Sequence, residues 1–407
     1  MGKIIPPGYP PVHMRALARL GQPLRGPVSR RYPDPEELVA RVTDRTGLTD
    51  FGPGEVLEPL DELLRPLRDD PTLTTIGLFA WPTMLGRLLA TRLQIVDFVK
   101  AHPEIRDEEL VRPVIITGMP RTGTTLLYNL LADVPGSRPL MGWESMDPMP
   151  HRRLSFRKVK YRWWVRFVNT TIPQLRAIHH LQSDGPDEGL EMMDRTLHSF
   201  NFMLYAYSYT DWLLERTHRE MCDSWTLWRW QLQMLQAYGP QGFWLLKAPT
   251  FMGLFPTIDA LLPNARYVMT HRDLHSAIPS AMSLVTVVGA SMRYAGAQVP
   301  LPRFVDRMAE MANQTRKQIE QRPNVQVLYP ELIEDPAEIV STILTEFGED
   351  VPADLRRRVT DYLARHPQHK HGKHDYRLER FGLVEDDLQP YAADYARDLG
   401  LDRFRAF

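Results

Sequence analysis

Apolar residues recur at helical spacing along most of this chain, and strand-like apolar runs break the pattern near residue 114 and again from residue 243. Before residue 110, the segments EELVARVTDRTG, VLEPLDELLRPLRDD and TMLGRLLATRLQIVDFVKAHP each read as a helix with one apolar face. In the last, Leu85, Leu88, Leu89, Val96 and Val99 form a stripe that Arg92 interrupts. Asp34-Pro35-Glu36-Glu37 is a helix start, with proline in the first turn and acids beside the positive end of the dipole. Residues 1–34 are rich in proline and arginine and lack periodicity, which predicts an extended arm on the surface.

Val114, Ile115 and Ile116 form a β-branched run suited to a buried parallel strand. A turn over 118–123 follows, and then Leu126, Leu127, Leu130 and Leu131 recur at helical spacing. Phe243–Ser283 repeats this logic. FWLLKAP is a strand ending in Lys247, GLFPTIDALLPNA a helix, and RYVMTHRD a strand ending at Arg272. Asp273 can cap the helix that follows, in which Pro279 marks a kink or a late start. These elements predict an α/β fold, a P-loop-like parallel sheet flanked by helices. Residues 1–110 are expected to form a helical N-terminal extension packed on a core of residues 111–407.

Between the two repeats, residues 184–238 are helical and aromatic, from Phe200 to Trp230. Such a series more often fills a core, although it can also line a cavity for a lipophilic ligand. His151–Phe167 is the most basic segment. It predicts a solvated helix face with Trp163, Trp164 and Phe167 turned inward, the alternative being attraction to an anionic acceptor or a membrane surface.

Apolar residues make up 43% of the chain and charged residues 24%, a globular balance. A net charge of -1 provides no basic field for nucleic acid. The single cysteine, Cys222, excludes an internal disulfide framework and fits a reducing compartment. The first residues, MGKIIPPGYPPVH, match neither a secretory signal nor a myristoylation site, and no apolar run approaches the roughly 20 residues needed to span a bilayer. A cytoplasmic protein is expected, with self-association left open.

The turn after Ile116 carries the chemistry. A strand, a glycine turn and a helix start bring backbone N–H groups and positive dipole charge to one point, which makes an anion site. Gly118, Gly123 and Thr125 match the nucleotide-binding spacing GxxxxGK[ST], but Thr124 replaces the lysine. Arg121 is the only cation in the turn. Lys247 and Arg272 end strands, and ligands gather at the carboxyl ends of such strands. Three cations at one rim imply a ligand with more than one anionic group. The absence of HExxH, CxxC or a paired aspartate site predicts no metal.

The set PRTGTT, a strand-end lysine, and an arginine followed eight residues later by a serine resembles the PAPS-dependent sulfotransferases, from Val111 to Leu284. Arginine in the loop is similar to their bacterial and tyrosylprotein branches. The resemblance implies that Pro120, Arg121, Thr122, Gly123, Thr124 and Thr125 hold the 5′-phosphosulfate of 3′-phosphoadenosine 5′-phosphosulfate (PAPS). It assigns the 3′-phosphate to Arg272 and Ser280, and charge stabilisation during transfer to Arg121 and Lys247. The cytosolic branch has a histidine where Pro249 stands, so Glu144 is the implied base, with Glu188, Glu191, His179, His180 and His198 as rivals. The tail HGKHDYRLERFGL is similar to a basic loop that closes over the nucleotide, with Lys370, Lys373 and His374 as its contacts. The implied acceptor is a small, lipophilic hydroxyl compound. A small-molecule kinase and a non-catalytic nucleotide-binding protein are the competing readings; a kinase should have the loop lysine and an acid for Mg²⁺.

Overall fold

The computed structural model describes residues 10–150, 152–175, 181–294, 301–366, 378–381, 384 and 387–401. The arm expected over residues 1–34 is helical from residue 12. Helix α1 (Val12–Gly21), a 3-10 turn (Gln22–Leu24) and α2 (Arg25–Arg30) follow one another. Pro11, Pro23 and Pro27 each stand before or within a first turn, where a missing N–H costs no helical bond. Helix α3 (Pro35–Thr46) starts as expected, with the Asp34 carboxylate accepting from the Glu37 N–H at 2.8 Å, and ends at Gly47 in the left-handed region.

Helix α4 (Leu57–Asp69) and the 27-residue α5 (Thr75–Ala101) complete this region. The sequence pattern starts α5 at Thr83; it begins at Thr75, capped by Thr74, and runs through Pro82. Arg92 does not break its buried stripe by reaching solvent. It is fully buried, and its guanidinium donates to the carbonyls of Phe51 (2.7 Å), Pro53, Gly54 (3.1 Å), Arg195 (3.2 Å) and Thr196 (3.4 Å). A buried cation is tolerated because its donors are satisfied, so two loops are pinned to the helix.

The sheet has five strands among the described residues: β1 (Val114–Gly118), β2 (Ser137–Pro139), β3 (Phe243–Lys247), β4 (Arg266–His271) and β5 (Asn324–Leu328). They pair in parallel in the order β2-β3-β1-β4-β5. Alternation sends Val114, Ile116, Leu245 and Val268 to one face, against α6 (Thr124–Ala132), α12 (Pro336–Glu346) and α13 (Leu355–Arg365). Ile115, Trp244, Leu246 and Met269 go to the other, where they join a large core. That core holds Leu64 and Trp81 of α4 and α5, Trp225 and Trp228 of α10 (His218–Ala237), and Ala277 and Met282 of α11 (Leu274–Ala290). Residues before and after position 110 therefore share one apolar cluster.

The chain crosses from β1 to β2 and β3 on one side, then returns to β4 and β5 on the other. The turn after β1 sits at this switch point, where a crevice opens beyond the strand ends. Between β2 and β3 lie α7 (Gly142–Met146), α8 (Leu154–Thr171), α9 (Leu190–Asp194) and α10.

Candidate active site

The turn from β1 to α6 requires its glycines. Gly118 has φ +143°, and an added Cβ would stand 2.5 Å from the Thr270 carbonyl oxygen of β4. Gly123, at φ +97°, leaves room for Leu332 and Tyr329, which a Cβ would meet at 2.8 Å and 3.0 Å. Arg121 itself has φ +73°, an uncommon conformation for a residue with a side chain. The Thr122 hydroxyl holds the turn shut, donating to the Met119 carbonyl at 2.7 Å and meeting the Thr270 hydroxyl at 2.5 Å. Thr122 is fully buried, so it shapes the loop rather than facing a ligand. Beyond Gly123, the first N–H groups of α6 have no intrahelical acceptor, and Gly123, Thr124 and Thr125 line the crevice.

Lys247 and Arg272 reach this rim from neighbouring strands. Lys247 pairs in register with Ile116 at the end of β3. Its ammonium lies 2.5 Å from Glu188 Oε1 and 3.3 Å from Thr125 Oγ1. Glu188 is brought there by the bridge between Met141 and Pro186 and by Gly189, whose φ of +72° starts α9. Arg272 follows β4, donates to the Arg121 carbonyl at 3.2 Å and stacks on Tyr329 with its guanidinium carbon 4.4 Å from the ring centre.

A cavity of about 2250 Å³ joins these groups. Pro120, Arg121, Gly123, Thr124, Thr125 and Arg272 line it, and Glu188 stands on the wall. Apolar side chains line it as well, with Phe79 of α5, Trp164 and Phe167 of α8, Phe202, and Leu284 and Val288 of α11. The aromatic segment therefore divides: Trp225 and Trp228 fill the core, while Phe200, Phe202 and Tyr205 face the cavity. Asp194 also lines it, and burial pushes its carboxyl up to about 7 despite hydrogen bonds from Asn201 and Ser199. Among the described residues, no group of three or more His, Cys, Asp or Glu could hold a metal ion.

The other predicted residues are placed differently. Glu144 is 3% exposed and off the cavity wall. Its two oxygens accept from Arg138 at 2.7 Å and 2.9 Å, and one also accepts from the Met141 N–H at 3.0 Å. Both lone-pair faces are committed to closing α7. Glu191 is on the wall but forked to Arg87 at 2.7 Å and 2.8 Å. His198 is buried away from the cavity, and desolvation pushes its imidazole down to about 4. Helix α11 runs unbroken through Pro279, with Arg272, His275, Ser276 and Pro279 on the wall and Ser280 buried just behind them. Lys370, Lys373, His374, His179 and His180 lie outside the described residues. Trp163 and Phe167, expected to turn inward, are 67% and 65% exposed; Arg157, Tyr161 and Val165 are the inward stripe of α8. Tyr329 and His275 were not singled out by sequence reasoning, though both follow strand ends closely. His275 carries a buried Nε2 with no partner among the described residues, on the wall beside Arg272.

A family model described as "Sulfotransferase family" matches residues 113–353. Curated relatives named omega-hydroxy-beta-dihydromenaquinone-9 sulfotransferase Stf3, from Mycobacterium bovis and Mycobacterium tuberculosis, are 23% identical over 296 residues, 67% of this chain and 72% of theirs. Among solved structures, sulfotransferase STF9 from Mycobacterium avium superposes with a TM-score of 0.79 at 25% identity, covering 89% of this chain and 96% of that one. Sulfotransferase STF1 from Mycobacterium tuberculosis has the same fold, with a TM-score of 0.67 at 24% identity over 89% of this chain and 99% of its own.

Proposed function

The chain belongs to the sulfotransferase family, and from that premise we propose that it moves the sulfuryl group of PAPS to the hydroxyl of a lipophilic acceptor. One observation carries this reading: one cavity is lined both by the glycine turn with Arg121 and Arg272 and by many apolar side chains, with Glu188 and the Lys247-linked Thr125 on its wall. The residues fit the donor. The glycine turn supports the 5′ side, and the His275 edge, whose Nε2 has no partner among the described residues, offers a polar contact near Arg272. The relatives' name specifies a hydroxylated menaquinone, and an alcohol of that lipophilic class suits the apolar lining.

PAPS supplies a sulfuryl group already joined to a phosphate leaving group. The N–H groups of residues 123–125 and the Arg121 guanidinium would bind and orient its 5′ side, with Thr124 and Thr125 beside them. Arg272 would keep the 3′-phosphate that the resemblance assigns to it, with Tyr329 fixing the arginine plane, while Ser280, buried behind the wall, would support the helix turn that carries Ser276. Lys247 would donate to the oxygen that gains charge as the S–O bond to phosphate breaks. We place the base at Glu188 rather than Glu144. As the acceptor oxygen bonds to sulfur, its proton passes to the Glu188 carboxylate, which the Lys247 ammonium holds in place. A cytoplasmic site of action accords with the single free cysteine.

The test is Arg121→Ala in an assay of PAPS consumption. Arg121 is exposed, so the fold should survive while transfer falls at least about a hundredfold. Near-normal turnover would sink the assignment. Calorimetry should show adenosine 3′,5′-bisphosphate binding in preference to ATP; the reverse order would favour the kinase reading.

A further inference from the structure

Helix α8 turns a water-facing apolar stripe outward. Phe156, Val159, Trp163 and Phe167, spaced three, four and four residues apart, are 59%, 48%, 67% and 65% exposed. The spacing places them on one face of the helix. The same helix carries Lys158, Lys160, Arg162 and Arg166 outside its buried stripe and no acidic residue of its own; Arg162 pairs with Asp184 at 2.7 Å and Lys160 with Asp147 at 3.5 Å. Its inward stripe is already filled by Tyr161 and Val165, so the outer stripe is surplus to the core.

A second helix has the same character. In α1, Leu17 and Leu20 are 49% and 77% exposed beside Arg15 and Arg19, and residues 12–33 contain no Asp or Glu. The Thr75 hydroxyl donates to the Gly21 carbonyl at 2.7 Å, which ties the end of α1 to the first turn of α5. One turn further along α5 stands Phe79, 71% exposed and also part of the cavity lining. Phe167 combines the same two properties. Phe79 and Phe167 thus join the exposed apolar side chains of α5 and α8 to the cavity lining.

We propose that this face, α8 with α1 and Phe79, docks on an anionic lipid bilayer and opens the acceptor cavity toward the lipid. The occupant follows from charge and position. Apolar side chains flanked by Lys and Arg, on helices with no acidic residue of their own, match the interfacial layer of a membrane that carries negative headgroups. No described helix is long and apolar enough to cross a membrane, so contact is peripheral. The docking stands on the exposed face alone. Its use, drawing a hydroxylated lipid from the bilayer into the cavity, rests on the lipophilic-acceptor reading.

The experiment is vesicle flotation of the full chain and of Phe156→Asp/Trp163→Asp. Neither residue lines the cavity, and both are exposed, so the variant should keep its melting temperature and its binding of adenosine 3′,5′-bisphosphate. The wild type should float with vesicles of phosphatidylcholine plus phosphatidylglycerol and not with phosphatidylcholine alone. Its partitioning should weaken with salt and fall roughly tenfold or more in the variant. A wild type that stays in solution overturns the proposal, as does a variant that floats equally well. A concentration-dependent dimer that the two substitutions abolish, without flotation, would assign the face to a second copy instead. Retained flotation with no sulfated product from lipophilic alcohols would refute the acceptor reading and leave the docking in place.

Discussion

Removing the Glu144 carboxylate should cost stability, whereas removing that of Glu188 should cost chemistry. Glu144 and Arg138 have side chains 4% and 5% exposed and share two hydrogen bonds of 2.7 Å and 2.9 Å. In Glu144→Ala the guanidinium stays buried against Trp244 with only the Pro139 carbonyl, 2.7 Å away, as acceptor. Stripping one partner from a buried pair costs about 3–5 kcal/mol. With an unfolding entropy near 2.1 cal/mol/K per residue, 407 residues give roughly 0.9 kcal/mol/K for one cooperative unit, so the melting temperature should fall by about 4–6 °C. Differential scanning calorimetry reads this directly. Replacing both partners, as in Arg138→Met/Glu144→Leu, should recover much of the loss, because no lone charge remains buried. Glu188→Gln, by contrast, should lower turnover by about 10²–10⁴-fold, the usual contribution of a general base. The reasoning fails if Glu144→Ala melts normally yet loses turnover that the double substitution does not restore.

The loop glycines should be intolerant: Gly123→Ala is expected to cost about 1–3 kcal/mol through its left-handed φ and the contact with Leu332, and to weaken adenosine 3′,5′-bisphosphate binding in calorimetry. Gly118→Ala should be worse, since the clash is with backbone of β4 rather than with a side-chain tip. Asp194 gives a pH signature. Its folded carboxyl sits at about 7 against an ordinary value of 3.8, so between these values the folded state holds a proton that the unfolded chain has lost. Stability from this group is therefore full below about pH 4 and is lost as pH rises to 7. The melting-temperature difference between Asp194→Asn and wild type should grow across that window and then level off; a difference constant with pH would contradict the burial argument.

The local features of this protein were written locally. The β-branched run at 114–116, the glycines at 118 and 123 and the Asp34 cap each depend on neighbours within a few residues, so strand, anion turn and helix start could be read in order. Strand-end positions did the same for Lys247 and Arg272, because parallel strands must present their carboxyl ends on one rim. Helical periodicity also found the stripes of α8, but a period carries no direction. Which stripe meets the core depends on what α8 packs against, and the fold turned Trp163 and Phe167 outward. Helix α1 was missed because its prolines suggested irregular chain, although each stands at a first turn.

The carboxylates show the limit most clearly. Glu144 and Glu188 look equivalent along the chain, two acids beyond the phosphate turn. Only the tertiary structure gives Glu144 to Arg138 across the start of α7, and Glu188 to Lys247, 59 residues away. A buried charge is defined by the partner that compensates its desolvation, and that partner is chosen by packing rather than by spacing. Sequence alone thus determined the glycine turn between strand and helix and the cations around it. Tertiary structure decided which acid faces the cavity, how far its apolar lining extends, and which face of α8 meets the solvent.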